Sequence, residues 1–274
     1  MLFWRFYGYI ACIQRVLEID NMTELNIYKL KNNNTSHKNA LYCNTNSGFT
    51  LAESLITLGI IGVVAAMTIP NLLTNYKTQR LHSQFLKSYS TIQQVLKQME
   101  ADDISLDIST YKENASFYQT FIKYLQAPLD CGYANSIKPA PCYHYKPGGT
   151  DNDKPYMTLD GNTVVNGNYF DDGQIVLQDG TILLFENPKT FNNNIWISVD
   201  LNGYTNKPNK WGYDLFTFQF IDGELKTMGA RGTSFTNMNK YCNLNTSNEL
   251  NGIACAQKAK ENPEYFKNLI KKAK

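Results

Sequence analysis

The sequence predicts an α+β protein in which a long amino-terminal α-helix packs on an antiparallel β-sheet. Three observations predict it. Residues 49–69 read FTLAESLITLGIIGVVAAMTI, an apolar run with a single charge, Glu53. After Pro70 the pattern turns amphipathic, with Leu81, Phe85, Tyr89, Ile92, Leu96 and Met99 recurring at spacings of three and four. Beyond Ala101, Asp-Gly and Asn-Gly pairs punctuate short apolar stretches, and such pairs suit the positive φ angles of tight hairpin turns.

Residues 1–48 combine an aromatic opening, an acidic patch at Glu18 and Asp20, and an Asn-rich run over 31–47, so no packed unit is expected there. Arg5 interrupts the opening and no small-residue cleavage site follows, which argues against a secretory signal. Met22 offers a second start, after which Lys29, Lys31 and Lys38 outnumber Glu24, as on cytoplasmic flanks of membrane helices. At about 1.5 Å per residue, the segment 49–70 crosses the roughly 30 Å hydrocarbon core of a bilayer. Pro70 either ends that helix or loosens it by removing one backbone hydrogen bond, with Gly59 and Gly62 lying upstream.

The stem, 71–100, carries Lys77, Gln79, Lys87, Gln93, Gln94 and Lys97 off its apolar stripe. The helix is therefore expected to run on to about Glu100, roughly 75 Å in all, and to lay its stripe on a globular head. In the head, 101–274, about four strands are expected at 174–177, 181–185, 195–199 and 215–221. The pairs Asp160-Gly161, Asp172-Gly173, Asp179-Gly180, Asn202-Gly203 and Asp222-Gly223 punctuate them, and the basic tail 262–274 reads as a short helix.

Composition removes several classes of function. Among 274 residues, 26 Lys plus Arg balance 24 Asp plus Glu, so there is no basic excess of the kind that nucleic-acid binding needs. An aromatic fraction of 13% supplies enough apolar area to exclude global disorder. A mean hydropathy of −0.38 excludes a polytopic membrane protein while leaving room for one span. Charged residues are only 18%, and 31 Asn with 18 Tyr make a surface wetted by amides and hydroxyls.

The spacing around the apolar run is specific. Gly48-Phe49-Thr50-Leu51-Ala52-Glu53 precedes it, and Pro70 is the twenty-second residue counted from Phe49. This closely resembles the amino-terminal signal of type IV pilins and of the pseudopilins of type II secretion, and the likeness covers about 25 residues. The resemblance implies that a prepilin peptidase cuts after Gly48 and methylates the new amino terminus at Phe49, leaving 226 residues. Ser47 stands where such leaders often carry a basic residue. It further implies a pilin-like fold, a single pass through the bacterial inner membrane with a periplasmic head, and partners in the form of other subunits, an assembly platform and its ATPase.

The residues also argue for themselves. Gly48 lets an extended backbone enter a protease cleft at the membrane surface. Glu53 costs about 2.5 to 3.5 kcal/mol at the centre of a membrane helix and less near an end, so a partner is expected. The freed amine of Phe49 on a neighbouring subunit is one; a Glu that snorkels to the interface is the alternative.

Of six cysteines, Cys12 and Cys43 precede the cut and Cys131, Cys142, Cys242 and Cys255 follow it. Four cysteines allow three pairings, and proximity favours Cys131 with Cys142 and Cys242 with Cys255. An oxidising periplasm would support disulfides, and zinc is disfavoured because no C-x-x-C pair or histidine cluster is present. The Cys242–Cys255 loop resembles the disulfide-bounded recognition region of many pilins. Residues 199–214 are dense in oxygen donors and resemble a loop of pseudopilin heads, some of which bind calcium. Asp200, Asn202 and Asp214 would be the ligands, with an Asx-type hairpin turn as the alternative. An EF-hand is excluded because Trp211 occupies its twelfth position.

No catalytic set is expected. His37, His82 and His144 accompany no nucleophile, and G-x-S-x-G, H-E-x-x-H and P-loop patterns are missing. Asp171 and Asp172, if in a strand, would point to opposite faces. The leading expectation is a filament subunit, a secretion pseudopilin ahead of a pilus pilin. A membrane-anchored periplasmic enzyme or receptor is the competing class.

Overall fold

The computed structural model describes residues 50–113, 115–144, 155–187 and 194–272. One continuous helix, α1 (Leu51–Ala101), opens the described chain. It runs through Pro70, so the residue does not end the helix. Proline leaves the carbonyl four residues back without its usual donor. Around it, Thr68 Oγ1 donates to the Val64 carbonyl at 2.9 Å and Thr74 Oγ1 to the Pro70 carbonyl at 2.8 Å. The early part of α1 exposes its apolar side chains, among them Leu55, Ile56, Leu58, Ile60, Met67 and Leu72. By length and composition this helix is able to cross a membrane.

From Thr78 onward one face of α1 is buried through Leu81, Phe85, Ser88, Ile92, Val95, Leu96 and Met99. The expected stripe is thus the packed face, with Tyr89 half-buried at its edge. After α1 come the short α2 (Ser116–Phe121) and six strands: β1 (Leu129–Gly132), β2 (Gln174–Val176), β3 (Ile182–Glu186), β4 (Ile195–Asp200), β5 (Leu215–Ile221) and β6 (Glu224–Thr227). Three helices follow: α3 (Met238–Tyr241), α4 (Cys255–Glu261) and α5 (Tyr265–Lys272). The sheet is antiparallel in sequential order β1 to β6.

Six strands replace the four expected. β1 (LDCG) has a register shift between Asp130 and Gly132, and β6 (ELKT) is a short polar edge. Neither carries enough apolar alternation to be seen without its neighbour. Only two of the Asp-Gly and Asn-Gly pairs turn ladder hairpins. Asp222-Gly223 joins β5 to β6 with both residues at positive φ, 53° and 77°. Asp179-Gly180 lies between β2 and β3. Asn202-Gly203 instead opens the long β4–β5 loop, and Asp172-Gly173 precedes β2.

The sheet is buried on both faces. One face meets α1: Phe85 packs at ring-centroid distances of 5.0 Å from Phe216 and 5.7 Å from Phe218, and α5 adds Phe266 at 6.2 Å. The other face is covered by loop segments carrying Tyr143, Tyr156, Phe170, Trp211 and Ile253. This second cover was not expected from the sequence. Gly252 makes it fit, because a Cβ there would stand 2.5 Å from the Trp211 Cβ and 2.7 Å from its carbonyl oxygen.

Candidate functional site

The start of α1 is a capping box. Thr50 Oγ1 accepts from the Glu53 backbone N–H at 3.2 Å, while the Glu53 carboxylate accepts from the Thr50 N–H at 3.0 Å and the Thr50 hydroxyl at 2.9 Å. The Ser/Thr-x-x-Glu pattern satisfies free N–H groups at a helix start reciprocally and places a negative charge at the positive end of the helix dipole. Thr-Leu-Ala-Glu was legible as such a box, but the sequence reading weighed Glu53 only as a partner for another subunit's amine or as a snorkelling interfacial residue. Gly48 and Phe49 lie outside the described residues.

In the head, the β4–β5 loop gathers Asp200, Asn202 and Asp214. Its ends are tied by the Leu201 N–H donating to the Asp214 carbonyl at 2.8 Å. Asp200 and Asp214 are fully buried. Asp200 Oδ1 accepts from the N–H groups of Asn202 (3.2 Å) and Gly203 (3.0 Å), and Oδ2 accepts from the Tyr156 hydroxyl at 2.8 Å. Asp214 Oδ1 accepts from the Lys210 N–H at 2.7 Å and Oδ2 from the Asn209 N–H at 3.0 Å. With its amide nitrogen turned inward, Asn202 donates to Asp200 Oδ1 at 2.9 Å and to Asp214 Oδ2 at 3.3 Å.

Protein donors thus reach all four carboxylate oxygens. Burial, reinforced by the nearby Asp214 charge, raises the Asp200 pKa, and burial raises that of Asp214 against the pull of the backbone N–H groups. Burial and the adjacent acids push the Tyr156 phenol up as well. As a donor set for calcium the three side chains are hard oxygen ligands, and the fit depends on Asn202. Turned the other way, its amide oxygen would face the two acids at those same separations, an all-oxygen arrangement that a cation stabilises.

The cysteines pair locally: Cys131 with Cys142 at a Cα separation of 5.7 Å, and Cys242 with Cys255 at 5.0 Å. Inside the second loop Asn251 is fully buried and acts as a hub that the sequence reading missed. Its Oδ1 accepts from the Asn243 N–H at 3.1 Å, and its Nδ2 donates to the carbonyls of Asn243 (2.8 Å) and Thr246 (2.6 Å). Gln174 plays the matching part beside the first loop, exchanging hydrogen bonds with the Tyr143 backbone at 3.0 and 2.9 Å.

Asp171 and Asp172 lie outside any strand, so strand alternation does not separate them, and with Glu186 they offer carboxylate oxygens within 4.8 Å of one another. Among the described residues the His82 ring centroid lies 6.0 Å from that of Phe266; His37 lies outside them.

Taken together, these features define an α+β head preceded by an exposed apolar helix, long and apolar enough to cross a membrane, that begins at a capped Thr50–Glu53 pair. A family model, the prokaryotic N-terminal methylation motif, matches residues 43–69. Residues 43–69 thus carry the prepilin-type signal found in type IV pilins and pseudopilins. No curated protein and no solved structure matches the chain.

Proposed function

We propose that the chain is a structural subunit of a type IV pilin-like filament, of the pseudopilin kind that serves type II secretion. A prepilin peptidase cuts after Gly48 and methylates Phe49. Residues 49–70 hold the subunit in the bacterial inner membrane with the head in the periplasm, until an assembly platform and its ATPase move it into the filament. The observation that carries this reading is the methylation motif lying on an exposed apolar helix that continues into a folded head. The capping box keeps the Glu53 carboxylate ordered at the helix start, where the Phe49 amine of a neighbouring subunit would meet it.

The mass of the chain recovered from membranes tests the reading, since removal of residues 1–48 plus one methyl group is expected. Gly48→Leu should accumulate uncut. An intact amino terminus in the wild type would instead support a membrane-anchored enzyme or receptor. Glu53→Val should insert and fold normally while filament assembly falls sharply, and wild-type assembly of that variant would sink the docking role.

The Asp200–Asp214 loop supports the secretion kind. The Cys242–Cys255 loop supports a pilus pilin instead, and a cleft of about 1240 Å³ bordered by Lys77, Lys207, Lys210 and Lys258 lies beside it. Loss of type II secretion without loss of surface pili on deletion would decide for the first. Calcium at Asp200, Asn202 and Asp214 belongs to the same proposal, and a calcium-dependent rise in Tm that Asp200→Asn diminishes is its expected signature.

A further inference from the structure

The open end of the β2–β3 hairpin concentrates negative charge in a way the β4–β5 loop does not. Gln174 pairs with Leu184, and the ladder is prolonged by the Phe185 N–H donating to the Gly173 carbonyl at 2.8 Å and the Asp172 N–H to the Phe185 carbonyl at 3.2 Å. That register carries Asp172 to the position facing Glu186, where like charges repel. The Asn187 N–H anchors Asp172 Oδ2 at 2.8 Å, and the Asp171 carbonyl is held by the Ala134 N–H. Gly173 permits this course, since a Cβ there would stand 2.2 Å from the Tyr118 ring.

Glu186 supplies an independent sign that something is meant to sit there. The residue is 4% exposed, and among the described residues its Oε2 has no hydrogen-bond partner. A buried carboxylate oxygen without a donor is costly unless a proton or a cation faces it. Burial and the two aspartates push the Glu186 pKa up to about 9, and burial with the Asp172 charge lifts Asp171 to about 6.

We propose that Asp171, Asp172 and Glu186 form a binding site for a hard divalent cation, with calcium as the fitting ion. Ligand oxygens on opposite sides of calcium, at about 2.3 to 2.6 Å each, lie about 4.6 to 5.2 Å apart, so one ion reaches three oxygens confined within 4.8 Å. An all-carboxylate set selects calcium, magnesium or manganese over zinc and copper. Two of the three ligands lie on the irregular segment just before β2, which suits the flexible coordination of calcium better than the strict octahedron of magnesium. Bound there, the ion joins the segment before β2 to the end of β3 and replaces repulsion by attraction at that edge of the head.

The test is calcium titration of the detergent-solubilised full chain, by equilibrium dialysis and calorimetry, for wild type, Glu186→Gln, Asp171→Asn and Asp200→Asn. Asp171 is half-buried at the rim, so its variant guards against misfolding of the Glu186 variant. Glu186→Gln and Asp171→Asn are each expected to bind one calcium fewer per chain, or to bind it at least about tenfold more weakly, as loss of a charged ligand implies. Asp200→Asn is expected to retain this binding, which separates the site from the β4–β5 loop. The proposal is overturned if the wild type binds no calcium up to about 10 mM, above the weak extracellular range. It is equally overturned if Glu186→Gln and Asp171→Asn titrate like the wild type, or if only Asp200→Asn changes the curve; Glu186 is then held by a proton.

Discussion

On the face turned toward α1, strands β3 to β5 present Leu183, Phe185, Ile195, Ile197, Val199, Phe216, Phe218 and Phe220. On the opposite face the same strands present Glu186, Trp196, Ser198, Asp200, Thr217 and Gln219, all of them buried too. The first face is held by area: each aromatic or branched side chain withdrawn from water contributes about 1.5 to 3 kcal/mol, with little dependence on direction. The second combines apolar packing with buried hydrogen bonds, and among the described residues Glu186 Oε2, Trp196 Nε1 and Gln219 Nε2 have no hydrogen-bond partner. Ser198 and Thr217 share a hydrogen bond of 2.8 Å, Trp211 Nε1 donates to Thr217 Oγ1 at 3.1 Å, and Tyr156 reaches Asp200. An apolar face accepts a generic amphipathic helix, whereas a polar buried face accepts only the loops that complete its hydrogen bonds.

That contrast ranks the expected effects of substitution. The largest belongs to the helix-facing side. Phe85 is fully buried against Phe216, Phe218 and Phe266, so Phe85→Ala should destabilise the head by about 3 to 5 kcal/mol in denaturant unfolding. A loss under about 1 kcal/mol would mean that α1 is not essential to that core.

Next come the disulfides, one packed into each cluster. Each closes a short loop, with sequence separations of 11 and 13, and should contribute about 3 kcal/mol in the chain-entropy account. Single Cys→Ala pairs measured separately should give similar losses despite the different surroundings. A much greater cost at Cys242–Cys255 would show that the Asn251 hub depends on the bond.

On the polar face, Thr217→Val keeps the shape but strips Trp211 Nε1 of its acceptor and Ser198 of its partner. A cost of about 1 to 3 kcal/mol is expected, with Ser198→Ala adding less in combination than alone because the two share one hydrogen bond. Full additivity in that double-mutant cycle would contradict the network.

The smallest effect is expected at Lys87, whose Nζ lies 2.7 Å from Asp179 Oδ2 and links α1 to the β2–β3 turn. Lys87→Ala should cost no more than about 1 kcal/mol, as surface ion pairs do. Burial disfavours the Asp179 carboxylate, but Lys87 and the Thr181 N–H outweigh it and hold its pKa below the ordinary value. Its contribution is therefore present above the unfolded value near 3.8 and lost as pH falls through the lower folded value. Unfolding curves of wild type and Lys87→Ala should converge on strong acidification.

The legible and the illegible parts of this chain divide along the same line. The stripe Leu81, Phe85, Ile92, Leu96 and Met99 was readable because an amphipathic helix writes its buried face into a local period. Four strands were readable because apolar stretches of four or more residues stand between turn formers. β1 and β6 were not, since their strand character comes from the hydrogen bonds of β2 and β5 rather than from their own residues. Asp200, Asn202 and Asp214 were grouped in the sequence by the density of oxygen donors in one loop, but Tyr156, which donates to Asp200, is 44 residues away from it.

Sequence alone determined the features that depend on neighbours along the chain: the span-length apolar helix, the Thr50–Glu53 signal at its start, and the nearby cysteine pairs. Tertiary structure decided the rest. Which Asp-Gly pairs turn hairpins, which loops cover the second face, and that Glu186 meets Asp171 and Asp172 all follow from strand register. Register is set by pairing between distant segments, and a slip of one residue would send every one of those side chains to the other face.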